Sequence, residues 1–346
     1  MKRPLIVTAL VVIALALLAL LVLGSSRVQD TLLARGLEDA FARPVSEPPE
    51  GGMRVFMCGT ASPLPTPDRA QACVAVQVDD RLFIVDAGAG SADVASLGGL
   101  PLERLQGLLL THFHSDHIAA IGDFNLQSWV AGRPAPLQVI GPEGVDEVVA
   151  GFNQVYRLDR GYRVAHHGEA LLPPELHVLE PRTISPGVIL DRNGLVIRAF
   201  EVDHGPVSPA LGYRFEYGGR SVAITGDTVV TDALKEAVRG ADLLLSDALS
   251  LPIVRAMEQA ARNAGRDRQA TILADIRDYH AATASLAGLA EELDLGQIGL
   301  YHLVPAPRGA VMAQVFSRDL PRDILLTDDG TVFDLPPDGD LGMEQL

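Results

Sequence analysis

Short apolar runs punctuate this chain, and several of them stop at one polar residue that can do chemistry. Leu82-Phe83-Ile84-Val85 ends in Asp86, and Leu108-Leu109-Leu110 feeds His112 through Thr111. The run from Ser221 to Gly226 ends in Asp227, that from Leu243 to Ser246 in Asp247, and that from Ile298 to Tyr301 in His302. Between them, residues 195–202 alternate as a half-buried strand should and lead into Asp203-His204-Gly205. Apolar runs of this length bounded by turn formers predict strands. A lone strand-end aspartate is usually a turn former or helix cap. Repeated endings of one chemical kind predict instead a shared site on one rim of a sheet, where α/β proteins place their chemistry.

The densest ending is His112-Phe113-His114-Ser115-Asp116-His117, four metal-capable side chains in six residues. A lone His-x-His is most often a surface loop. The fuller pattern, directly after a buried strand, predicts a metal site, because imidazole and carboxylate suit zinc and similar ions.

At the N-terminus Met1-Lys2-Arg3 precedes an uncharged apolar stretch from Leu5 to Leu23, closed by Gly24-Ser25-Ser26. Its length favours a retained membrane helix; the small residues after it keep a cleaved signal segment open. Lys2 and Arg3 place the remainder across the membrane in either case. The expected organisation is therefore an anchor or signal over 1–26, a juxtamembrane helix and Pro/Gly-rich linker over 27–52, and one domain over 53–346. Residues 145–190 form an insertion of helical character, carrying Tyr156, Tyr162, His166 and His167, that is expected to act as a lid over the pocket.

The formal charge of −16 argues against nucleic acid as a partner of the average surface. The two cysteines, Cys58 and Cys73, flank the first predicted hairpin. A disulfide, a pair of small buried hydrophobes, and one cysteine approaching the metal site all fit them, since sequence does not show whether their Cβ atoms face each other.

Taken in order, Gly59-Thr60, Asp86, the His112–His117 cluster, Gly141-Pro142-Glu143-Gly144, His204 ahead of Leu211-Gly212-Tyr213-Arg214, Gly226-Asp227-Thr228, His280 and Tyr301-His302-Leu303 resemble the metallo-β-lactamase superfamily. Within it the chain is most similar to the branch of ribonuclease Z and the arylsulfatase-like hydrolases, over roughly residues 53 to 335. The resemblance implies an α/β fold, an αββα sandwich, behind the N-terminal helix. It implies that His112, His114 and His204 hold one metal, that Asp116, His117 and His302 hold a second, and that Asp227 bridges them. Zinc is the default, with manganese or iron also fitting such donors. Asp116 would also orient the nucleophile, and Asp86 would sit behind a ligand histidine and fix its tautomer. His280 matches a position that lies near the metals without ligating them, suited to protonating a leaving group or binding an anion. Asp247, preceded by Ser246, stands where that branch often has a His-Glu pair.

Bacterial ribonuclease Z carries an extended arm between the positions of His204 and Asp227, and this chain has room there for one hairpin only. The sequence therefore leads to a metal-dependent hydrolase of ester bonds, exported to a bacterial periplasm and either anchored to the inner membrane or secreted. Its expected substrate is a small phosphodiester or sulfate ester, its expected partner the membrane, and nucleic acid is not expected. Carboxyl ester, lactone or β-lactam hydrolysis stands as the alternative, and a non-catalytic metal-binding protein as the competing class.

Overall fold

The computed structural model describes residues 7, 12–13, 22–42 and 45–346. Most of the Leu5–Leu23 stretch lies outside them. Among the described residues no helix is long and apolar enough to cross a membrane. The chain divides into two compact units, residues 1–45 and 46–346. In the first, the expected juxtamembrane helix runs over Ser26–Phe41, with Leu32, Leu33, Leu37 and Phe41 exposed.

The second unit is built on two sheets. The first contains β1 (Met53–Gly59), β2 (Cys73–Val78), β3 (Arg81–Val85), β4 (Leu105–Leu109), β5 (Gln138–Gly141) and β6 (Glu180–Thr183). The second contains β7 (Gly187–Arg192), β8 (Leu195–Glu201), β9 (Leu211–Tyr217), β10 (Arg220–Ile224), β11 (Leu243–Leu249), β12 (Gln297–Val304) and β13 (Ile324–Leu326). The chain then returns to the first sheet as β14 (Thr331–Leu335) and β15 (Gly342–Gln345), giving the order β15-β14-β1-β2-β3-β4-β5-β6. The second sheet runs β13-β12-β11-β10-β9-β8-β7.

The period of two along each strand decides what lies between the sheets. In β1, Val55 and Met57 face the inter-sheet core with Phe83, Ile197, Phe215 and Leu245. Phe56 and Cys58 point the other way, into a second core with Leu82, Ile84 and Phe124. A third core covers the outer face of the second sheet through Leu244, Leu286, Leu300 and Phe316. Helices cover both outer faces, which is the four-layer αββα arrangement. Fully burying each large side chain of these cores contributes on the order of 1.5–3 kcal/mol. Cys58 and Cys73, on adjacent strands, form a disulfide.

The two sheets are stitched just beneath the His112–His117 segment. Leu211 N–H donates to Thr111 O at 2.9 Å, and the buried Tyr213 hydroxyl donates to Leu110 O at 2.7 Å. Leu303 N–H likewise donates to Thr60 O at 2.9 Å, tying β12 to the end of β1. One rim thus collects the C-terminal ends of strands from both sheets.

The 145–190 insertion holds two helices, Val145–Val155 and Arg157–His167, and then supplies the edge strands β6 and β7. It is pinned to the helix Ile121–Ala131. Asn125 Nδ2 donates to His177 O at 2.7 Å, Arg133 Nη2 to Asn125 Oδ1 at 2.9 Å, and Trp129 Nε1 to Pro173 O at 2.9 Å. Burial pushes the His177 imidazole down to about 4. The folded protein therefore keeps His177 neutral where the unfolded chain takes up a proton, and stability present above pH ~6.5 is lost as pH falls towards 4. Each pH unit across that window corresponds to ~1.4 kcal/mol, so after reduction for residual solvent screening the loss amounts to about 1–3 kcal/mol. His177→Gln is expected to lose less stability than the wild type between pH 7 and pH 4.5 in guanidinium unfolding. Parallel losses in both proteins would show that His177 does not contribute.

Candidate metal centre and active site

Every candidate metal ligand stands where a strand is ending or bent, or just after it, and His280 stands ahead of the helix Thr283–Glu292. After β4 the chain makes a single helical turn, Ser115–Ile118, held by Ala87 N–H donating to His117 O at 2.7 Å. Gly88 is required beside it, because a Cβ there would stand 2.3 Å from Asp116 O. Asp86 and His302 have left-handed backbones, φ 60° and φ 42°, a cost of order 1–3 kcal/mol each that the surrounding fold sustains. Asp247 and His302 lie inside β11 and β12 rather than at their ends, since both strands continue to Leu249 and Val304. A register irregularity between Asp247 and Ala248 lets both side chains reach the rim without ending the strands.

Two clusters share Asp227. His112, His114 and His204 converge, with His112 Nε2 2.9 Å and His204 Nε2 3.4 Å from His114 Nδ1. Asp227 Oδ2 lies 3.9 Å from His112 Nε2 and 3.7 Å from His204 Nε2. Asp116, His117 and His302 form the other cluster, with His302 Nε2 3.0 Å and His117 Nε2 3.5 Å from Asp116 Oδ2. Asp227 reaches it too, with Oδ1 3.2 Å from His302 Nδ1 and Oδ2 3.4 Å from His117 Nε2.

Behind these groups the opposite ring nitrogens are committed. His117 Nδ1 donates to Asp86 Oδ2 at 2.8 Å. His112 Nδ1 meets the Thr111 hydroxyl at 3.1 Å, and that hydroxyl donates to Asp86 Oδ2 at 2.9 Å. His204 Nδ1 donates to Tyr279 O at 2.9 Å. Such outer bonds fix the tautomer and aim the remaining nitrogen into the site. His117 Nε2, Asp227 Oδ1 and His302 Nδ1 are buried there without a hydrogen-bond partner. Orphaned buried polar atoms are costly, about 1–3 kcal/mol each, and these converge on a common centre. The donor set therefore fits metal ions.

Burial holds the imidazoles of His112 and His114 below their usual range and pushes His204 down to about 4. That leaves all three in the neutral form that ligates. Burial opposes ionisation of Asp227, but His302 and His117 outweigh it and hold the carboxyl well below the ordinary range. His117 is correspondingly raised, since Asp227 and Asp86 overcome its burial.

His280 stands beside this centre in a separate pairing. Its Nδ1 donates to Asp247 Oδ2 at 3.0 Å, and Ala281 N–H donates to the same oxygen at 3.3 Å. His280 Nδ1 is also 3.9 Å from Asp227 Oδ2. Asp247, His280, Asp227 and His302 come close enough together to form a third potential ligand group. Burial raises the Asp247 carboxyl against the pull of His280.

The centre opens into a cleft of about 810 Å³. Its outer walls come from the Ser62–Leu64 loop and from two helices, Leu251–Asn263 and Asp267–Asp275. The expectation that residues 145–190 form a lid is not met. None of them lines this cleft, because the network through Asn125 and Trp129 holds them against another helix. Sequence reasoning also missed the backbone carbonyl of Tyr279, which carries no residue signature, and the Thr111 hydroxyl. The cleft-facing residues of the two helices follow an ordinary amphipathic spacing, so nothing marks them as site residues.

Comparison with known proteins agrees with this geometry. The family model described as "Metallo-beta-lactamase superfamily" matches residues 66–274. A ribonuclease Z of Mycobacterium bovis BCG is 38% identical over 257 residues, which are 73% of this chain and 87% of the relative. Another, from Mycobacterium marinum, is 37% identical over the same shares. The crystal structure of human tRNase Z, short form, superposes with a TM-score of 0.57 at 19% identity, covering 82% of this chain and 99% of that one. These relatives overturn the expected partners. They are named for ribonuclease activity, against an expected small ester and an expected absence of nucleic acid. The geometric premise was sound, since only residues 202–210 join β8 to β9 and no arm extends there. The acidic net charge was no guide to nucleic acid, because it averages the whole surface and says little about the lining of one site. The membrane partnership rested on a segment mostly outside the described residues and has no support from the rest.

Proposed function

We propose that this chain, which belongs to the metallo-β-lactamase superfamily, cleaves phosphodiester bonds in RNA with the help of two zinc ions. It is a metal-dependent hydrolase of ester bonds, and the finer reading rests on one observation. Two His/Asp clusters meet at Asp227, with the His280–Asp247 pair alongside, in a chain alignable with most of the length of ribonuclease Z proteins. His112, His114, His204 and Asp227 would hold one ion, and Asp116, His117, His302 and Asp227 the other. When bound, the ions supply Lewis acidity that polarises a phosphoryl oxygen and acidifies water.

The chain's own residues do the rest. Asp116 accepts a hydrogen bond from the attacking water and orients it. Asp86 and Thr111 keep His117 and His112 in the tautomers that face the site. Asp247 holds His280 Nδ1–H, leaving Nε2 to give a proton to the departing ribose oxygen. Met257, Leu273 and Ile276 give the cleft beside the reacting centre an apolar lining.

The test uses zinc-loaded protein with a precursor tRNA, an unstructured RNA of equal length and bis(p-nitrophenyl) phosphate. Chelator-sensitive cleavage of at least one RNA is expected. Turnover of the small diester with neither RNA cut would overturn the RNA reading while leaving the metal-dependent chemistry intact.

A further inference from the structure

We propose that the cleft beside the metal centre is a pocket for an unpaired nucleobase next to the scissile phosphate, an inference that rests on the RNA reading above. Its floor contains His114, Asp116, Asp227 and His280, so any phosphodiester placed for attack continues into it. Its volume of about 810 Å³ lies within the 300–1,000 Å³ typical of small-molecule sites and is ample for one nucleoside.

The walls are chemically uneven. Met257, Leu273 and Ile276 are apolar and partly or fully buried, and Ile272 leaves half its surface (50%) exposed at the cleft. Ala260, Ala261 and Ala264 keep the cleft-facing side of the first helix low, so a flat group can lie against it. Such a slot favours a flat apolar surface. Arg266 and Gln269 line the same cleft, at the turn between the two helices and the start of the second. That end lies about 13 Å from the end nearest Tyr279, from nine residues at a rise of ~1.5 Å. An alkyl chain filling the slot would desolvate these two side chains without replacing their hydrogen bonds. A base would satisfy them, because the Gln269 amide both donates and accepts and the Arg266 guanidinium donates or stacks.

Charge points the same way. The chain is strongly acidic, yet residues 251–278 carry Arg255, Arg262, Arg266, Arg268 and Arg277 against Glu258, Asp267, Asp275 and Asp278. Glu258 occupies Arg262 and Arg277. Among the described residues Arg266 and Arg268 have no carboxylate within ion-pair distance, which leaves them available to phosphate. An apolar slot, a two-way hydrogen-bonding amide and the Arg266 guanidinium, all lining one cleft with the metal clusters, select a nucleotide over a lipid or a sugar.

Isothermal calorimetry on the zinc-loaded full chain tests the pocket without needing turnover. The probes are the 3′- and 5′-monophosphates of adenosine, ribose 5-phosphate and octyl phosphate. At least one adenosine monophosphate is expected to bind tenfold or more tightly than ribose 5-phosphate and octyl phosphate. Ala261→Trp, which fills the slot, and Ile272→Asp, at a half-exposed position the fold tolerates, are each expected to erase that preference. Ribose 5-phosphate affinity should change less than adenosine monophosphate affinity in both. Equal affinity for the adenosine and ribose phosphates would overturn the pocket, and so would octyl phosphate matching the nucleotide. A preference surviving both variants would place the base elsewhere and overturn it as well. The nucleotide preference without RNA cleavage would retain the pocket and sink the RNA reading; RNA cleavage without the preference would do the reverse.

Discussion

Asp227→Ala is expected to lose most of one metal ion, weaken the other, and abolish turnover. Among the described residues Asp227 is the one whose carboxylate faces both clusters, within 3.9 Å of His112 and His204 on one side and of His117 and His302 on the other. Burial opposes ionisation of its carboxyl, but His302 and His117 outweigh it and hold the group well below the ordinary range. Removing it deletes negative charge that would compensate two cations and leaves several imidazoles facing one another in a buried space. Loss of an outer partner such as Asp86 typically costs 10–100-fold in metal affinity or activity. Asp227→Ala should exceed that, with Asp86→Ala as the internal comparison. Elemental analysis after dialysis against buffered zinc is the measurement. A wild type that saturates at one ion would sink the two-ion reading, and an Asp227→Ala protein retaining two would remove Asp227 from the ligand set.

Much of this site is legible in the sequence because its residues sit where continuous apolar runs stop abruptly. Asp86 after β3, Asp227 after β10 and the His112–His117 segment after β4 all follow that rule. Asp247 and His302 obey it only in appearance, since their strands continue and a register irregularity brings them to the rim. The fold class comes with the family resemblance, and the strands agree with it: β3, β10 and β11 are apolar on both faces, so each sheet needs helices over the face turned away from the other. The cleft is a different matter. Its walls come from Met257, Ala261, Ile272 and Ile276, whose spacing is that of any helix packing on a core. The insertion over 145–190 drew attention through its length and its aromatic and histidine content. What decides its position is the buried hydrogen-bond network of Asn125, Arg133 and His177. Those are long-range pairings between residues that mean nothing separately. The expected absence of nucleic acid failed for a related reason: the formal charge of −16 is a sum over the whole chain and does not describe any one site.

His280→Ala is expected to retain both metals and lose turnover selectively. His280 Nδ1 is committed to the buried Asp247 carboxylate at 3.0 Å, and Asp247 also receives Ala281 N–H, so the imidazole is anchored from behind. A histidine held this way presents Nε2 as its exchanging nitrogen, as a general acid requires. The competing possibility is direct ligation, since His280 approaches Asp227 and His302 closely enough to join a ligand group. The two readings separate on substrates. A general acid contributes ~10²–10⁴-fold when the leaving group is a poor one such as ribose, and much less when it departs unaided. His280→Ala should therefore fall about 10²-fold or more on RNA while keeping most of its activity on bis(p-nitrophenyl) phosphate, with zinc content unchanged. Asp247→Asn should follow the same pattern more weakly, because the amide still reaches Nδ1 but no longer stabilises the protonated ring. A limb of the pH–rate profile on RNA, absent on the nitrophenyl ester, should disappear in His280→Ala. Loss of zinc from the variant would make His280 a ligand, and unchanged activity on RNA would reduce it to a packing residue ahead of the helix Thr283–Glu292.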